Sequence, residues 1–396
     1  MSWHVVNVEL IRRLVAGENL STVDAQTLFS SLDQRMVEDN CDDYDDYYLT
    51  AIVALMAKGP NSEELRGIVD DIAERSIDLT AELKDFGPLV DISGTGGDLI
   101  DTPNVGSLAS FVSAAGGVAV AKQATSSFTG VTGSADVFKV LGLDVYACDV
   151  GQIVALLRET KVTAMHTPSH SGGRFARRLA LLRRLRDVDL RFVTPWHLVS
   201  WVYSPFPLTG RIYGVSDGRY LGPVADVLGA RQPDEHSLVV HGEDGLDEIS
   251  VSGSTRVIEI RDGRRDEFCV SPDSLGLPTF SVSEVSVYTG EDSERLQSRQ
   301  VGHETRAEIR ERARCDLSSQ VHAILSGRGH PAHNALIAAN AGAALYVGGR
   351  VDSLAEGAST ALEFLLNGAA QATASAFSEA CDGVADPLRG EAPHGG

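Results

Sequence analysis

The chain changes texture at Gly87, and that change limits what it can fold into. From there on, short apolar segments alternate with helical ones. Strands are expected at Pro88–Ile92, Val118–Ala121, Ala164–His166, Leu190–Val193, Arg211–Val215 and Ser237–Val240. Between the first two lies a helix of small residues, Val105–Ala115, and after the second lies another, Val137–Leu141. Strands that alternate with helices pair mostly in parallel, so the fold class is α/β with a mostly parallel central sheet. Ligands of such sheets bind beyond the carboxyl ends of the strands. That rule singles out the turns at 93–98, 122–134 and 241–248.

Before Gly87 the pattern is helical. Val8, Ile11, Leu14 and Val15 repeat at helical spacing. Thr22 with Asp24 can cap a segment Ala25–Leu32, Tyr48–Lys58 ends at Gly59-Pro60, and Glu63–Arg75 is amphipathic. The expected organisation is a small α-helical domain (1–86), a larger α/β domain (87–380) and a flexible tail (381–396). The acidic run Glu38–Tyr48 reads as a solvated loop, because it lacks the Asp/Asn-plus-Gly alternation of a calcium loop. Residues 262–320 read as polar and irregular, apart from a charged helix at His303–Arg314. Ala335–Ala344 reads as a tightly packed helix of small residues.

Charge narrows the function classes. Among 396 residues, 55 are acidic and 34 basic, for a net charge of −21. That argues against a general nucleic-acid binder and against docking on anionic lipid. It leaves room for an anionic small substrate, which a few local donors can hold. Lysine occurs only at 58, 84, 122, 139 and 161, a bias that a salt-rich cytoplasm or a GC-rich genome would produce. The 5 cysteines are odd in number and contain no CxxC pair, which argues against a disulfide scaffold and a zinc site. The opening segment MSWHVVNVELIRRL lacks the apolar core of a signal peptide, and no apolar run reaches the ~20 residues of a membrane span. A cytoplasmic, reduced protein is expected.

Three turns carry the chemistry. Ser93-Gly94-Thr95-Gly96-Gly97-Asp98 follows a strand directly, and its glycines let backbone N–H groups approach an oxyanion. Neither a Walker loop nor a dinucleotide fingerprint matches this glycine spacing. The following helix adds its N-terminal donors, with Asn104 and Ser107 at its head. Lys122 opens the second turn, which is dense in hydroxyls and glycine: Ser126, Ser127, Thr129, Gly133 and Ser134. A cation with hydroxyl donors is a phosphate-holding arrangement. In the third turn, adjacent Asp247 and Glu248 can hold Mg²⁺, which takes one or two carboxylates and completes its shell with water and phosphate. A basic stretch, Arg174 to Arg186, offers an arginine that could clamp a carboxylate or phosphate.

Together these segments resemble the anthranilate phosphoribosyltransferases. The resemblance rests on DISGTGGDLIDTPNVGS (Asp91–Ser107), VAKQATSSFTGVTGSADVFKVLG (Val120–Gly142), VVHGEDGLDEIS (Val239–Ser250), SPDSLGLP (Ser271–Pro278) and NALIAANAGAALYVGGRVDSLAEG (Asn334–Gly357). It covers about nine tenths of the chain, the exceptions being the region around 170–210 and the stretch 281–316. It implies a small helical domain that mediates homodimers, and a larger α/β domain. It also implies transfer of phosphoribosyl from 5-phosphoribosyl 1-diphosphate (PRPP) to an aromatic amine, with Mg²⁺ and release of diphosphate. By the same resemblance, Gly94, Thr95, Gly96, Gly97 and Asp98 line the diphosphate and ribose site. Asn104, Ser107, Lys122 and Ser134 bind phosphates, and Asp247 and Glu248 hold the metal. Asp98 and Lys122 take the catalytic roles.

Departures cluster on the acceptor side. Where the family reads Lys-His-Gly-Asn-Arg-Ser, this chain reads Lys122-Gln123-Ala124-Thr125-Ser126-Ser127, so Gln123 and Thr125 would face the acceptor. Asn-Ile-Ser-Thr is replaced by Asn104-Val105-Gly106-Ser107, which removes a magnesium-ligating hydroxyl. Arg174 is the match for the arginine that pairs with the anthranilate carboxylate. Trp196, His197 and Trp201 would fall near the same wall. Donor-side groups are mostly kept and acceptor-side groups mostly changed, which leaves open a paralogue that uses anthranilate poorly and another planar aromatic better. A nucleoside phosphorylase of the same fold, or a non-catalytic protein binding PRPP or nucleic acid, are the remaining alternatives.

Overall fold

The computed structural model describes residues 7–38, 43–98, 100–125, 132–170, 181, 193–287 and 303–384. Four helices open the chain: α1 (Val8–Val15), α2 (Thr22–Glu38), α3 (Asp43–Lys58) and α4 (Ser62–Ala73). Strand β1 (Leu89–Gly94) follows, then α5 (Val105–Ala115), β2 (Ala119–Gln123), α6 (Ser134–Val140), α7 (Val150–Thr160) and β3 (Val162–Met165). Next come α8 (Pro195–Val199), β4 (Gly210–Gly214), α9 (Leu221–Arg231) and β5 (His236–Gly242). A hairpin, β6 (Thr255–Arg261) and β7 (Arg264–Val270), precedes α10 (Val282–Val285), α11 (His303–Leu325), α12 (Pro331–Val347), α13 (Leu354–Leu366) and α14 (Ala369–Val384).

The strands form one sheet in the order β3-β2-β1-β4-β5-β6-β7. The first five run parallel, and β6 and β7 add antiparallel. Side chains alternate between faces with the period of two that a strand imposes. Ile212, Leu238, Val240 and Val257 enter the core beneath α5 and α12 to α14. Their neighbours Tyr213, Val239, Ile258 and Ile260 enter a second core with α1 to α4, α8 and α9. The helical start of the chain thus covers the opposite face of the sheet from the C-terminal helices. Glu64 ties the start together, closing a capping box with Asn61, accepting from Leu20 N–H at 2.8 Å and pairing with Lys58 Nζ at 2.6 Å. Among the described residues no helix is long and apolar enough to cross a membrane.

Several sequence expectations need correction. The stretch after 262 is not irregular: Asp262 (φ 51°) and Gly263 (φ 70°) make the two-residue turn between β6 and β7. Asp-Gly with two positive φ angles is a strong hairpin signal. The acidic run is helical from Asp43, because Tyr48 reaches the core and Asp45 is buried with it. The helix at His303 continues to Leu325, well past Arg314. Helix α14 runs beyond residue 380 to Val384 and buries Cys381. Of the strand expected at Leu190–Val193, residues 190–192 lie outside the described residues, and Val193 is not in a strand.

Candidate active site at the carboxyl ends of the strands

Three carboxylates converge where β1, β4 and β5 end. Ligand oxygens of Asp98, Asp247 and Glu248 all lie within 4.8 Å of one another. The turn after β1 and the turn after β5 are locked together: Gly96 N–H donates to Asp247 Oδ2 at 2.7 Å. This contact requires backbone with nothing attached. A Cβ at Gly94 would lie 2.2 Å from Asp247 Oδ2, and one at Gly214 would lie 1.5 Å from the Asp247 carbonyl oxygen. Asp244 braces the same turn, accepting from Leu246 N–H at 3.3 Å and from the hydroxyls of Ser250 and Ser252.

Electrostatics makes this cluster a candidate cation site. Desolvation, then the charge of Asp247, pushes both Asp98 and Glu248 well above the usual carboxylate range. Burial also raises Asp247, although the Gly96 N–H and Lys122 favour its charged form. Glu248 Oε1 accepts from Thr102 Oγ1 at 3.4 Å, and Glu248 Oε2 is buried without a hydrogen-bond partner among the described residues. Crowded carboxylates with an unsatisfied oxygen suit a hard divalent cation, so the residues fit magnesium.

A cavity of about 120 Å³ joins these carboxylates to the head of α5. Its wall contains Asn104, Gly106, Ser107, Lys122 and Ser134. Asn104 adopts a left-handed conformation (φ 51°) at the N-cap, and its side chain donates to Thr132 Oγ1 at 2.9 Å. The first turn of α5 therefore meets the cavity with the end of the helix that favours anions. Lys122 Nζ donates to the Ile92 carbonyl. Burial lowers the Lys122 pKa, while Asp91, Asp247 and Glu248 favour its charge. The Ser107 hydroxyl is buried with no partner among the described residues. Gly106 keeps the approach open, because a Cβ there would lie 2.6 Å from the Ile92 carbonyl oxygen and 3.0 Å from Lys122 Nζ.

Most donor-side candidates meet here. Gly94, Asn104, Ser107, Lys122, Ser134, Asp247 and Glu248 line the one cavity, and Asp98 joins through the carboxylate cluster. Gly97 has positive φ (83°) and faces Val193 and Ser216. Thr95 is spent on the fold: its hydroxyl donates to the Gly96 carbonyl at 3.0 Å and accepts from Ser216 N–H at 3.0 Å.

The acceptor-side candidates fare differently. Gln123 is buried, with Nε2 donating to the Tyr203 carbonyl at 2.7 Å and Oε1 accepting from Thr167 Oγ1 at 2.9 Å. Thr125 exchanges backbone hydrogen bonds with the Ser134 hydroxyl. Arg174, Ser126 and Ser127 lie outside the described residues. Trp196 is not a pocket wall. It stacks on Tyr48 at 6.3 Å and meets Phe29 edge-on at 5.7 Å inside the helical core. His197 caps its own helix through Thr194, and Trp201 packs against the same core.

Sequence reasoning missed Asn340. It is buried on α12, lines the cavity, and grips both backbone groups of Ile249, the N–H at 2.9 Å and the carbonyl at 3.0 Å. The available signal was one of two amides, Asn334 and Asn340, within a helix of alanines.

A mostly parallel sheet, a glycine turn that admits a carboxylate, and an anion-friendly cavity beside it define an α/β glycosyltransferase. The model of the glycosyl transferase family, a/b domain, matches residues 86–317 and 318–371. An anthranilate phosphoribosyltransferase of Halorhodospira halophila is 34% identical over 329 residues, 82% of this chain and 85% of the relative. One from Aeropyrum pernix is 30% identical over 362 residues, 91% of this chain and 92% of the relative. The chain belongs to the anthranilate phosphoribosyltransferase family. Its fold matches the Thermus thermophilus enzyme with a TM-score of 0.72 at 23% identity, covering 94% of this chain and 99% of the other. It likewise matches the Saccharomyces cerevisiae enzyme in complex with PRPP and Mg (TM-score 0.73, 19% identity, 95% of this chain, 98% of the other).

Proposed function

We propose that this protein transfers the 5-phosphoribosyl group of PRPP to an anthranilate-type aromatic amine, a step of tryptophan biosynthesis. The bond from ribose C1 to diphosphate breaks, a C1–N bond forms, the amine loses a proton and diphosphate leaves. The observation that carries this reading is the single cavity shared by Lys122, the head of α5 and the Asp98, Asp247 and Glu248 cluster. Asp98, Asp247 and Glu248 would hold magnesium, which when bound would neutralise charge on the departing diphosphate. Lys122, the Ser107 hydroxyl and the first-turn N–H groups of α5 hold phosphate oxygens and stabilise the same charge. Positioning and electrostatics then carry the reaction, because the ribosyl carbon becomes electron-poor as its leaving group gains charge. Gly94, Gly96, Gly97 and Thr95 shape the turn, and Asn104 and Ser134 fix the two edges of the cavity. Gln123 and Thr125 brace the turn after β2 through Tyr203, Thr167 and Ser134, while Arg174 is the residue assigned to the acceptor's carboxylate.

The test is diphosphate release from PRPP and Mg²⁺, with anthranilate compared against related planar aromatics by kcat/KM. Efficient turnover of anthranilate supports the reading. A clear preference for another aromatic would make the chain a paralogue, and cleavage driven only by inorganic phosphate would make it a phosphorylase. Lys122→Ala should raise the PRPP dissociation constant about tenfold, the cost of a lost charged hydrogen bond. Unchanged binding by calorimetry would remove Lys122 from the site.

We read the chain as a helical domain (1–86) and an α/β domain that runs from 87 to the end of α14 at Val384, working in the cytoplasm as a homodimer. Support for the dimer comes from an apolar groove of about 670 Å³ between α1 and α3, where Val15 and Val53 are exposed. That face lies away from the sheet and has the chemistry of a self-association surface.

A further inference from the structure

Beyond the cavity wall, a segment outside the glycine turns and the Asp-Glu pair reaches the site. After β7, residues Phe280–Val287 run as a strap from the strand ends to the metal cluster. At one end, Phe280 N–H donates to the Val251 carbonyl at 2.9 Å, just past the turn that carries Asp247 and Glu248. At the other end, Val287 N–H donates to the Asp101 carbonyl at 2.8 Å. Asp101 stands one residue before Thr102, whose hydroxyl bonds Glu248, and three after Asp98. In turn, the Thr102 carbonyl accepts from Asn104 N–H at 2.9 Å, at the head of α5.

The strap is anchored between these ends. Ser281 and Glu284 close a capping box on α10, and Val285 is fully buried in the main core. His333, on the first turns of α12, is buried against the strap, with the backbone of Ser286 and Val285 beside its ring. Its ring lies 5.5 Å from that of His330, and its Nε2 has no hydrogen-bond partner among the described residues.

We infer that Val287, through its backbone N–H, and His333, through the strap, are positioning residues for the turn that carries Asp98 and Thr102. They hold the metal-facing side of the site in register with Glu248 and with the phosphate-facing head of α5. Neither touches substrate. The inference rests on the proposed Mg²⁺ and PRPP chemistry of the site, and it assigns to this segment a task that the family motifs do not cover.

The test compares Val287→Pro, which removes the N–H, with Val287→Ala, which keeps it, and adds His333→Asn. Relative to Val287→Ala, Val287→Pro should raise the Mg²⁺ concentration for half-maximal rate about five- to tenfold, the cost of one hydrogen bond. The kcat at saturating Mg²⁺ should stay within about twofold. Hydrogen exchange of the Asp101 and Thr102 amides, measured without metal, should quicken in Val287→Pro and in His333→Asn, with global unfolding unchanged. Equal Mg²⁺ dependence and equal exchange in Val287→Pro and Val287→Ala would overturn the inference. If Val287→Pro fails to fold, His333→Asn decides by the same two readouts. A wild-type protein that releases no diphosphate from PRPP would overturn the functional reading instead, and the exchange result would still judge the strap.

Discussion

Asp98, Asp247 and Glu248 stand within 4.8 Å of one another, and each would keep its negative charge in water. Held this close and partly desolvated, they repel one another whenever no cation lies between them. Asp247→Asn with Glu248→Gln removes two of the three competing carboxyl groups and keeps the shapes. The doubly substituted protein should melt several degrees higher than wild type in EDTA, on the order of 1–3 kcal/mol. It should also lose Mg²⁺-dependent turnover. Thermal melts in EDTA check this, and a lower melting temperature for the variant would make the carboxylates structural. The same scale shows what local sequence could reveal. Glycine turns and an Asp-Glu pair after a strand are local signals, and both led to the cavity. Gln123 gave no such signal, because its partners Tyr203 and Thr167 lie 80 and 44 residues away. Trp196 looked equally suited to a pocket or a core, and only its packing on Tyr48 and Phe29 decides.

Among the described elements, α8 depends on an imidazole. His197 Nδ1 lies 2.7 Å from Thr194 Oγ1 and accepts from Thr194 N–H at 3.1 Å. Burial pulls the His197 pKa from 6.5 down to about 4. Between those values the unfolded chain binds a proton that the folded chain refuses. This contribution to stability is therefore whole above about pH 6.5 and is lost as the pH falls toward 4. Urea unfolding at pH 7 and pH 5 should show a smaller loss in His197→Gln than in wild type. An identical loss would assign the acid sensitivity to other groups. Element boundaries also explain the sequence misreadings. The parallel strands are legible because helices separate them. The β6–β7 hairpin is masked because charged residues cover its outer strand, although Asp262-Gly263 marks the turn. The start of α3 is hidden because six acidic or tyrosine residues in a row show no amphipathic pattern, and burial of Tyr48 needs the rest of the fold.

At the scale of the whole molecule, a net charge of −21 surrounds an apolar groove on the first helices. Val15 is 64% exposed and Val53 43% exposed on that face. Charge repulsion opposes association and salt screens it, since the Debye length falls to about 3 Å at 1 M. The protein should sediment as a dimer, more tightly at high salt than at low. Val53→Asp should shift it to monomer while leaving the cavity beyond the sheet untouched. Sedimentation velocity at two salt concentrations checks both statements, and an unaltered dimer in Val53→Asp would move the contact to another face.

Gly94 and Gly214 flank Asp247 so closely that neither position can carry a side chain without displacing it. Every amino-acid change reachable from a glycine codon by one base brings in at least a Cβ. Neither glycine therefore has a neutral amino-acid replacement within one step. Any lineage that changed the chemistry at Asp247 would have had to remake both flanking strand ends in the same history, or lose the turn altogether.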